Sequence, residues 1–387
     1  MDRENRRLSL IKKRNRQETT FRFLAVLAIT MATAFLLFFL YDISKTGYTA
    51  MKQTEILTDV TYNAQTVEYN HLAVPKDVQR LVSRGFLRLI PQEVENNPSL
   101  MDTTVPAWIT ASAEVDQYIK HLPNRLKPHE VEVVDQLMAD GKIRKAFNTG
   151  FFKNGDSKLP EIAGIFSAVI GSIYVLILTM LFSVPIGVMS AVYLEEFAPD
   201  NWFTRIIEVN INNLAAIPSI LFGLLGLAIF INFFGVPRSS ALAGGLTLAL
   251  MTLPVIIIST RVALSSVPDA IRQGAQGVGA SAWQVVWHHV LPLSLPGILT
   301  GFIIGIARAM GETAPLLIIG MLAYIPEAPT GITSAATVLP AQIYTWSSAS
   351  LRAYTERTAL GIMMLLAVLL LLNAAAVMIR NRFERKW

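Results

Sequence analysis

Apolar residues in this chain run in long blocks rather than in strict alternation or a narrow helical stripe. The blocks fall at about residues 21–40, 162–193, 206–234, 241–260, 296–322 and 359–379. Each holds about the 20 residues that a helix needs to cross roughly 30 Å of hydrocarbon. The pattern predicts an all-α integral membrane protein with six transmembrane helices. An even number of crossings puts both ends on one side. The first block leads into Tyr41-Asp42-Ile43-Ser44-Lys45, which lacks the small-residue cleavage site of a signal peptide, so it reads as a retained anchor.

Two polar connections interrupt the blocks. The longer covers residues 45–161, between the first two spans, and parity places it outside the cell. Trp108, Val115, Tyr118, Ile119 and Leu122 approximate helical spacing, as do Val131, Val134, Leu137 and Met138. Pro91, Pro98, Pro106, Pro123 and Pro128 punctuate them. The expectation is a small helix-rich external domain. The organisation is then a basic N-terminus at 1–20, a first span at 21–41, the insertion at 45–161, a permease-like core at 162–380 with a cytoplasmic loop at 261–295, and a tail at 381–387.

Composition supports the membrane reading. Hydrophobic residues make up 52% of the 387, too many for a chain whose whole surface meets water. The net charge of +5 gathers at the ends: Arg3, Arg6, Arg7, Lys12, Lys13, Arg14 and Arg16 before the first block, and Arg380, Arg382, Arg385 and Lys386 after the last. Beside membrane spans this marks the cytoplasmic side rather than nucleic-acid binding. Both termini are therefore expected in the cytoplasm of a cell with a plasma (inner) membrane.

Several chemistries lack their residues. There is no cysteine, which excludes disulfides, thiolate metal sites and cysteine nucleophiles. His288 and His289 point about 100° apart on a helix and are poor partners for one metal. A phosphate-cradling loop needs G-x-x-x-x-G-K-[ST]; the nearest segment, Gly150 to Ser157, has Asp156 where lysine is required. No cofactor, metal or catalytic residue is expected on this chain, and any ATP and magnesium would sit on partner subunits.

The loop at 261–295 has the densest local signals. Pro268 and Asp269 suit a helix start. Ile271, Ala275 and Val278 share one face. Gly279 suits a left-handed break, and Ser281 a cap for a second helix bearing Trp283, Val286, Trp287 and Val290, which Pro292 is expected to end. Two short helices meeting at a glycine could dock into a groove of another protein or lie on the lipid surface.

The segment Arg272-Gln273-Gly274-Ala275, followed by Gly279-Ala280 and by Leu291-Pro292, resembles the coupling motif of ABC importer permeases: E-A-A, a glycine four residues on, and a closing I/L-x-L-P. The sequence departs from it at Gln273, where the motif has an acid, and at Gly274, where it has alanine. The resemblance implies that this loop enters a cleft of the ATP-binding subunit and passes its closure to the membrane helices.

Three more stretches resemble the permeases of phosphate ABC importers, of the PstA type. They are Ala307-Arg308-Ala309-Met310-Gly311-Glu312-Thr313-Ala314-Pro315-Leu316-Leu317, the third-span segment from Asn213 to Leu224, and the acidic turn Tyr193-Leu194-Glu195-Glu196-Phe197. The likeness runs from about residue 159 to the C-terminus. It implies a homologous permease or second copy, two ATP-binding subunits and a periplasmic phosphate-binding protein as partners, besides membrane lipid.

Arg308 has a physical argument of its own. It lies twelve residues past Pro296, roughly 18 Å along a helix and so near mid-bilayer, where charge is costly and usually faces a polar pathway. Glu312 follows at i+4. A guanidinium fork fits phosphate oxygens. Arg308 and Glu312 read either as a substrate contact with its counter-charge or as an ion pair bracing two helices. Asn213 and Ser219 are further pathway candidates, with Asn210, Asn212 and Thr252 weaker ones. Pro218 and Pro254 are expected to bend their helices, and Arg261 to anchor its helix at the cytoplasmic edge.

Overall fold

The computed structural model describes residues 2–383, with side chains from 14 to 382. The charge expectations that rest on Arg3, Arg6, Arg7, Lys12, Lys13, Arg385 and Lys386 lie outside the described side chains. Among the described residues, five helices are long and apolar enough to cross a membrane: Arg14–Ala50, Phe166–Phe197, Ala241–Ser265, Ala282–Gly311 and Tyr354–Arg382. A bent pair, Trp202–Ala216 and Ser219–Phe233, is long and apolar enough when taken together and is a sixth candidate, either a broken span or a re-entrant loop.

The Ala241–Ser265 helix is the hub. Glycines of neighbouring helices, among them Gly187, Gly226 and Gly301, lie against it, and small residues of this kind let backbones approach closely. Gly187 of the second span sits against Ile256, where an added Cβ would lie 2.7 Å away. Two threonines of the hub are satisfied within the helix: Thr247 donates to Ala243 O at 2.7 Å and Thr252 to Leu248 O at 2.9 Å. Pro254 stands inside this unbroken helix. The first helix is different. Its apolar stretch is exposed along its length, as a helix facing lipid would be, and only its end meets the last helix, near Gly47 and Leu360.

Two apolar blocks that read as continuous spans are broken, and proline explains both. The third turns by 104° between its halves. Ile217 precedes Pro218 and is extended (φ −65°, ψ 134°), as the ring of a following proline demands. The fifth ends at Gly311 and resumes only as the short helix Ala314–Ile318. Pro315 lies four residues after Gly311, where its ring would strike that residue's carbonyl in a continuing helix. Pro292, by contrast, does not end its helix. A π turn at Val286–Val290, closed by the Leu291 N–H to Val286 O, carries the chain smoothly into Leu291–Gly311.

The insertion contains helices, including Ala113–Ile119 and Pro128–Ala139, but also a three-stranded antiparallel sheet. Its strands are β1 (Lys52–Tyr62), β2 (Thr103–Thr110) and β3 (Ile143–Phe147), in the order β2-β1-β3. Trp108, grouped above with a helix, lies on β2 opposite Leu57. Thr54, Ile56, Thr58, Val60 and Tyr62 alternate inward along β1, and Ile56 and Val60 join Leu81, Ile90, Ile109, Val115 and Val134 in one core. A buried polar lock ties this unit to the spans: Lys120 reaches Asp116 at 2.7 Å and, at 3.5 Å, Glu356 at the head of the last helix. Glu356 also accepts from Thr49 at the end of the first.

Candidate functional site

The loop between the fourth and fifth spans is an elbow of two helices, Asp269–Gly277 and the run that begins at Ala282. Gly279 turns between them at φ +89°, a left-handed conformation that costs a side-chain-bearing residue. Ser281 then caps the second helix: its Oγ accepts from Gln284 N at 3.3 Å, while Gln284 Oε1 accepts from Ser281 N at 2.9 Å. Ala275, Val285 and Val290 pack down on Ala191, Leu194, Ile257 and Leu264. The outer face keeps Gln273, Gly274 and Val278 exposed, the last at 87%. Trp283 and Trp287 stack at 5.6 Å on the same unit, both largely exposed.

Arginine clamps hold the elbow down. Arg272 donates Nε to Glu196 Oε2 at 3.1 Å and Nη2 to Glu196 Oε1 at 2.7 Å. Its remaining donors cap the fourth span, at Leu264 O (2.9 Å) and Val267 O (2.6 Å). Hydrogen bonding to Glu196 pushes this guanidinium above its ordinary pKa, so it stays charged. Arg261 holds Glu195 at 3.0 Å and Glu208 at 2.8 Å, so it joins the second and third spans rather than only anchoring its own. Of the motif positions, Ala275 is buried, Ala280 and Leu291 half-buried, and Pro292 exposed on the helix.

A second cluster forms where the two broken spans meet. The Ser219–Gly226 limb packs on Ala314–Ile318 so tightly that a Cβ on Gly223 would lie 2.8 Å from Pro315 Cα. Irregular backbone at membrane depth is tolerated where protein buries it or a polar cavity receives it. Arg308 stands in the last turn before one break. Glu312 is in the break itself, with extended backbone (φ −83°, ψ 122°), so the two do not share a helix face as their spacing predicted. They still approach: Arg308 Nε lies 3.7 Å from Glu312 Oε1, an electrostatic contact longer than a hydrogen bond. Ser219 opens the second limb, half-buried, and Asn213 is exposed on the first. Neither hydrogen-bonds to Arg308 or Glu312 among the described residues. Asn210 and Thr252 spend their polar groups on their own helices.

Sequence reasoning found the elbow's caps but missed the partnership of Glu196 with Arg272 and the role of Glu208. Opposite charges 76 residues apart leave no local signal.

Comparison with known proteins bears on both clusters. Residues 183–387 match the family described as "Binding-protein-dependent transport system inner membrane component". Residues 9–80 and 70–128 match a domain of unknown function, DUF3333. Among curated relatives, the probable ABC transporter permease protein YqgH of Bacillus subtilis is 34% identical over 43% of this chain and 55% of its own length. The phosphate transport system permease protein PstA of Mycobacterium leprae is 36% identical over 42% of this chain and 53% of its own. The chain thus spans about half the length of these relatives. It spans 82% of the phosphate transport system permease protein PstC of Pasteurella multocida, at 30% identity over 62% of this chain. The MetNI methionine ABC transporter in an inward-facing conformation aligns at 20% identity, covering 57% of this chain and 98% of that one, with a TM-score of 0.45. That likeness adds nothing to the assignment. The family match covers more than half of the sequence and takes in the elbow and both helix breaks, and the chain belongs to the inner-membrane permeases of binding-protein-dependent ABC importers.

Proposed function

We propose that this chain is the permease subunit of an ATP-driven importer of inorganic phosphate, and that Arg308 meets the anion in the pathway. The carrying observation is a contrast among three arginines. Arg261 and Arg272 are each held by two carboxylates within 3.3 Å, whereas Arg308 has only the 3.7 Å approach to Glu312 and remains one-third exposed at a helix break. Its fork of donors is largely uncommitted, and that fork suits a tetrahedral oxyanion. Glu312 beside it keeps the cation from holding the anion too tightly between turnovers. The phosphate-transport names of relatives support the choice of anion.

In this reading the spans alternate access to the pathway. The elbow docks in a cleft of an ATP-binding subunit, which holds the ATP and magnesium. A homologous permease or a second copy closes the pathway, and a periplasmic phosphate-binding protein delivers the substrate to the face carrying the insertion. Both termini lie in the cytoplasm.

The test is uptake of radiolabelled phosphate into vesicles holding the assembled importer, with binding protein outside. ATP-dependent uptake that competes with arsenate and resists sulfate and molybdate is expected. Uptake of another oxyanion instead would overturn the substrate assignment. Arg308→Lys, which keeps charge and loses the fork, is expected to depress uptake about tenfold or more while assembly is retained. Unchanged uptake would reassign Arg308 to bracing.

A further inference from the structure

The insertion holds a second concentration of guanidinium groups that the transport pathway leaves unused. Leu81, Val82, Leu87 and Ile90 are sunk in the insertion's core, and the arginines spaced among them remain outside it. Arg80, Arg84 and Arg88 recur at every fourth position there, all exposed. They line one cleft of about 500 Å³ together with His71 and Glu68. Arg80 has Glu130 at 3.9 Å, beyond hydrogen-bond distance. Arg84 and Arg88 have no carboxylate within 4.0 Å among the described residues.

Three like charges converging on one concavity repel each other, and only Glu68 among the lining groups offsets them. The lining groups alone carry a formal excess of two positive charges, tempered by Glu130 beside Arg80 and by Glu161, which feels the charge of Arg84; the remaining positive field favours an anion. Guanidinium forks supply paired, coplanar donors that match a tetrahedral oxyanion. A concave wall focuses their field on an incoming anion. The cleft is also roomier than a bare phosphate group requires.

We infer that this cleft binds a phosphate dianion, as inorganic phosphate or as the terminal group of a phosphate monoester. With inorganic phosphate as occupant, the site rests on the transport reading and is an outlying station for the substrate on the insertion. With an ester as occupant it is a separate sensor site, independent of that reading.

The experiment is anion binding to the full chain in detergent at low ionic strength, by equilibrium dialysis with labelled inorganic phosphate and, separately, glycerol 3-phosphate. It compares wild type with an Arg84→Gln/Arg88→Gln variant, each also carrying Arg308→Gln so that the pathway does not contribute. Both side chains are exposed, so the fold is expected to persist, with thermal unfolding as the check. About a tenfold loss of affinity in the cleft variant supports the site, and whichever anion binds tighter in wild type names its source. Equal binding in both backgrounds, or no binding of either anion, overturns it. So does a variant that binds anion normally and instead loses docking of the external binding protein. Vesicle uptake separates the two ideas: intact phosphate uptake with a flat cleft titration fells this inference alone, and absent uptake with a cleft-dependent ester titration fells the transport reading alone.

Discussion

Arg272 and Glu196 are joined by two parallel hydrogen bonds, at 3.1 and 2.7 Å, that bind the elbow to the turn after the second span. Because the same guanidinium also caps the carbonyls at the end of the fourth span, one side chain gathers three elements into a unit. A push on the elbow therefore reaches the second and fourth spans together.

Breaking this pair should uncouple the importer before it unfolds it. Arg272→Lys loses the fork, and Glu196→Gln loses the charge. Each is expected to cost roughly 1.5–3 kcal/mol, the range of charge-assisted hydrogen bonds. On the proposed transport reading, the checking measurement is the number of ATP molecules hydrolysed per anion moved, expected to rise several-fold. A normal ratio in both variants would remove the relay role and leave only a structural one.

Two glycines of the elbow, Gly279 and Gly274, should respond in opposite ways. Gly279→Ala forces a side chain into left-handed backbone and is expected to destabilise the elbow by about 1–2 kcal/mol. Gly274 lies inside the helix with open space around it, so Gly274→Ala is expected to stabilise by roughly 0.5–1 kcal/mol. Thermal unfolding of the purified chain ranks the two. The reverse order would contradict the backbone geometry.

Gly223 is where the broken helices touch. A methyl there would stand 2.8 Å from Pro315 Cα and 2.9 Å from its carbonyl oxygen, neither of which can swing aside. Gly223→Ala is expected to cost about 1–3 kcal/mol through overpacking and to lower uptake by displacing the segment that carries Glu312. Wild-type uptake and unfolding from this variant would mean that the junction is loose.

Stability should fall as pH rises above the ordinary carboxylate range. Burial raises the pKa of Asp156 and of Glu161, against the hydrogen bonds that Asp156 accepts from Trp346 Nε1 and Ser157 N and that Glu161 accepts from Ser83. Between the unfolded value, near 4, and the raised folded value, the native chain binds more protons than the unfolded one, so the slope of stability against pH is negative there. Asp156→Asn keeps the acceptor oxygen and removes the desolvated charge. It is expected to raise the unfolding temperature at neutral pH and to flatten that decline. A lower unfolding temperature at neutral pH would show that the charge is needed where it lies.

Much of the architecture was legible because its rules are local. A span needs only length and apolar content, so the five long apolar helices and the bent pair could be located from the sequence. Gly279 and Ser281 announced their turn and cap, since a positive φ and a capping hydroxyl depend on immediate neighbours. Pro315 could have been read as the end of the fifth span from its position four residues after Gly311. The alternation of Thr54, Ile56, Thr58, Val60 and Tyr62 could have revealed β1. The helical grouping that took in Trp108 failed because residues spaced near 3.6 in one short stretch also fit a strand joined to a helix.

What the sequence determined by itself is a chain of five to six apolar spans with a capped, glycine-hinged elbow and an arginine within the fifth apolar block. The tertiary structure decided which charges meet. Glu196 took Arg272, Glu195 and Glu208 took Arg261, and Arg308 was left with one distant carboxylate. Those pairings depend on where helices cross, and the crossings follow from close contacts such as Gly187 on Ile256 and Gly223 on Pro315. Contacts of that kind join residues far apart in the chain, whereas caps, breaks and spans are settled within a few turns.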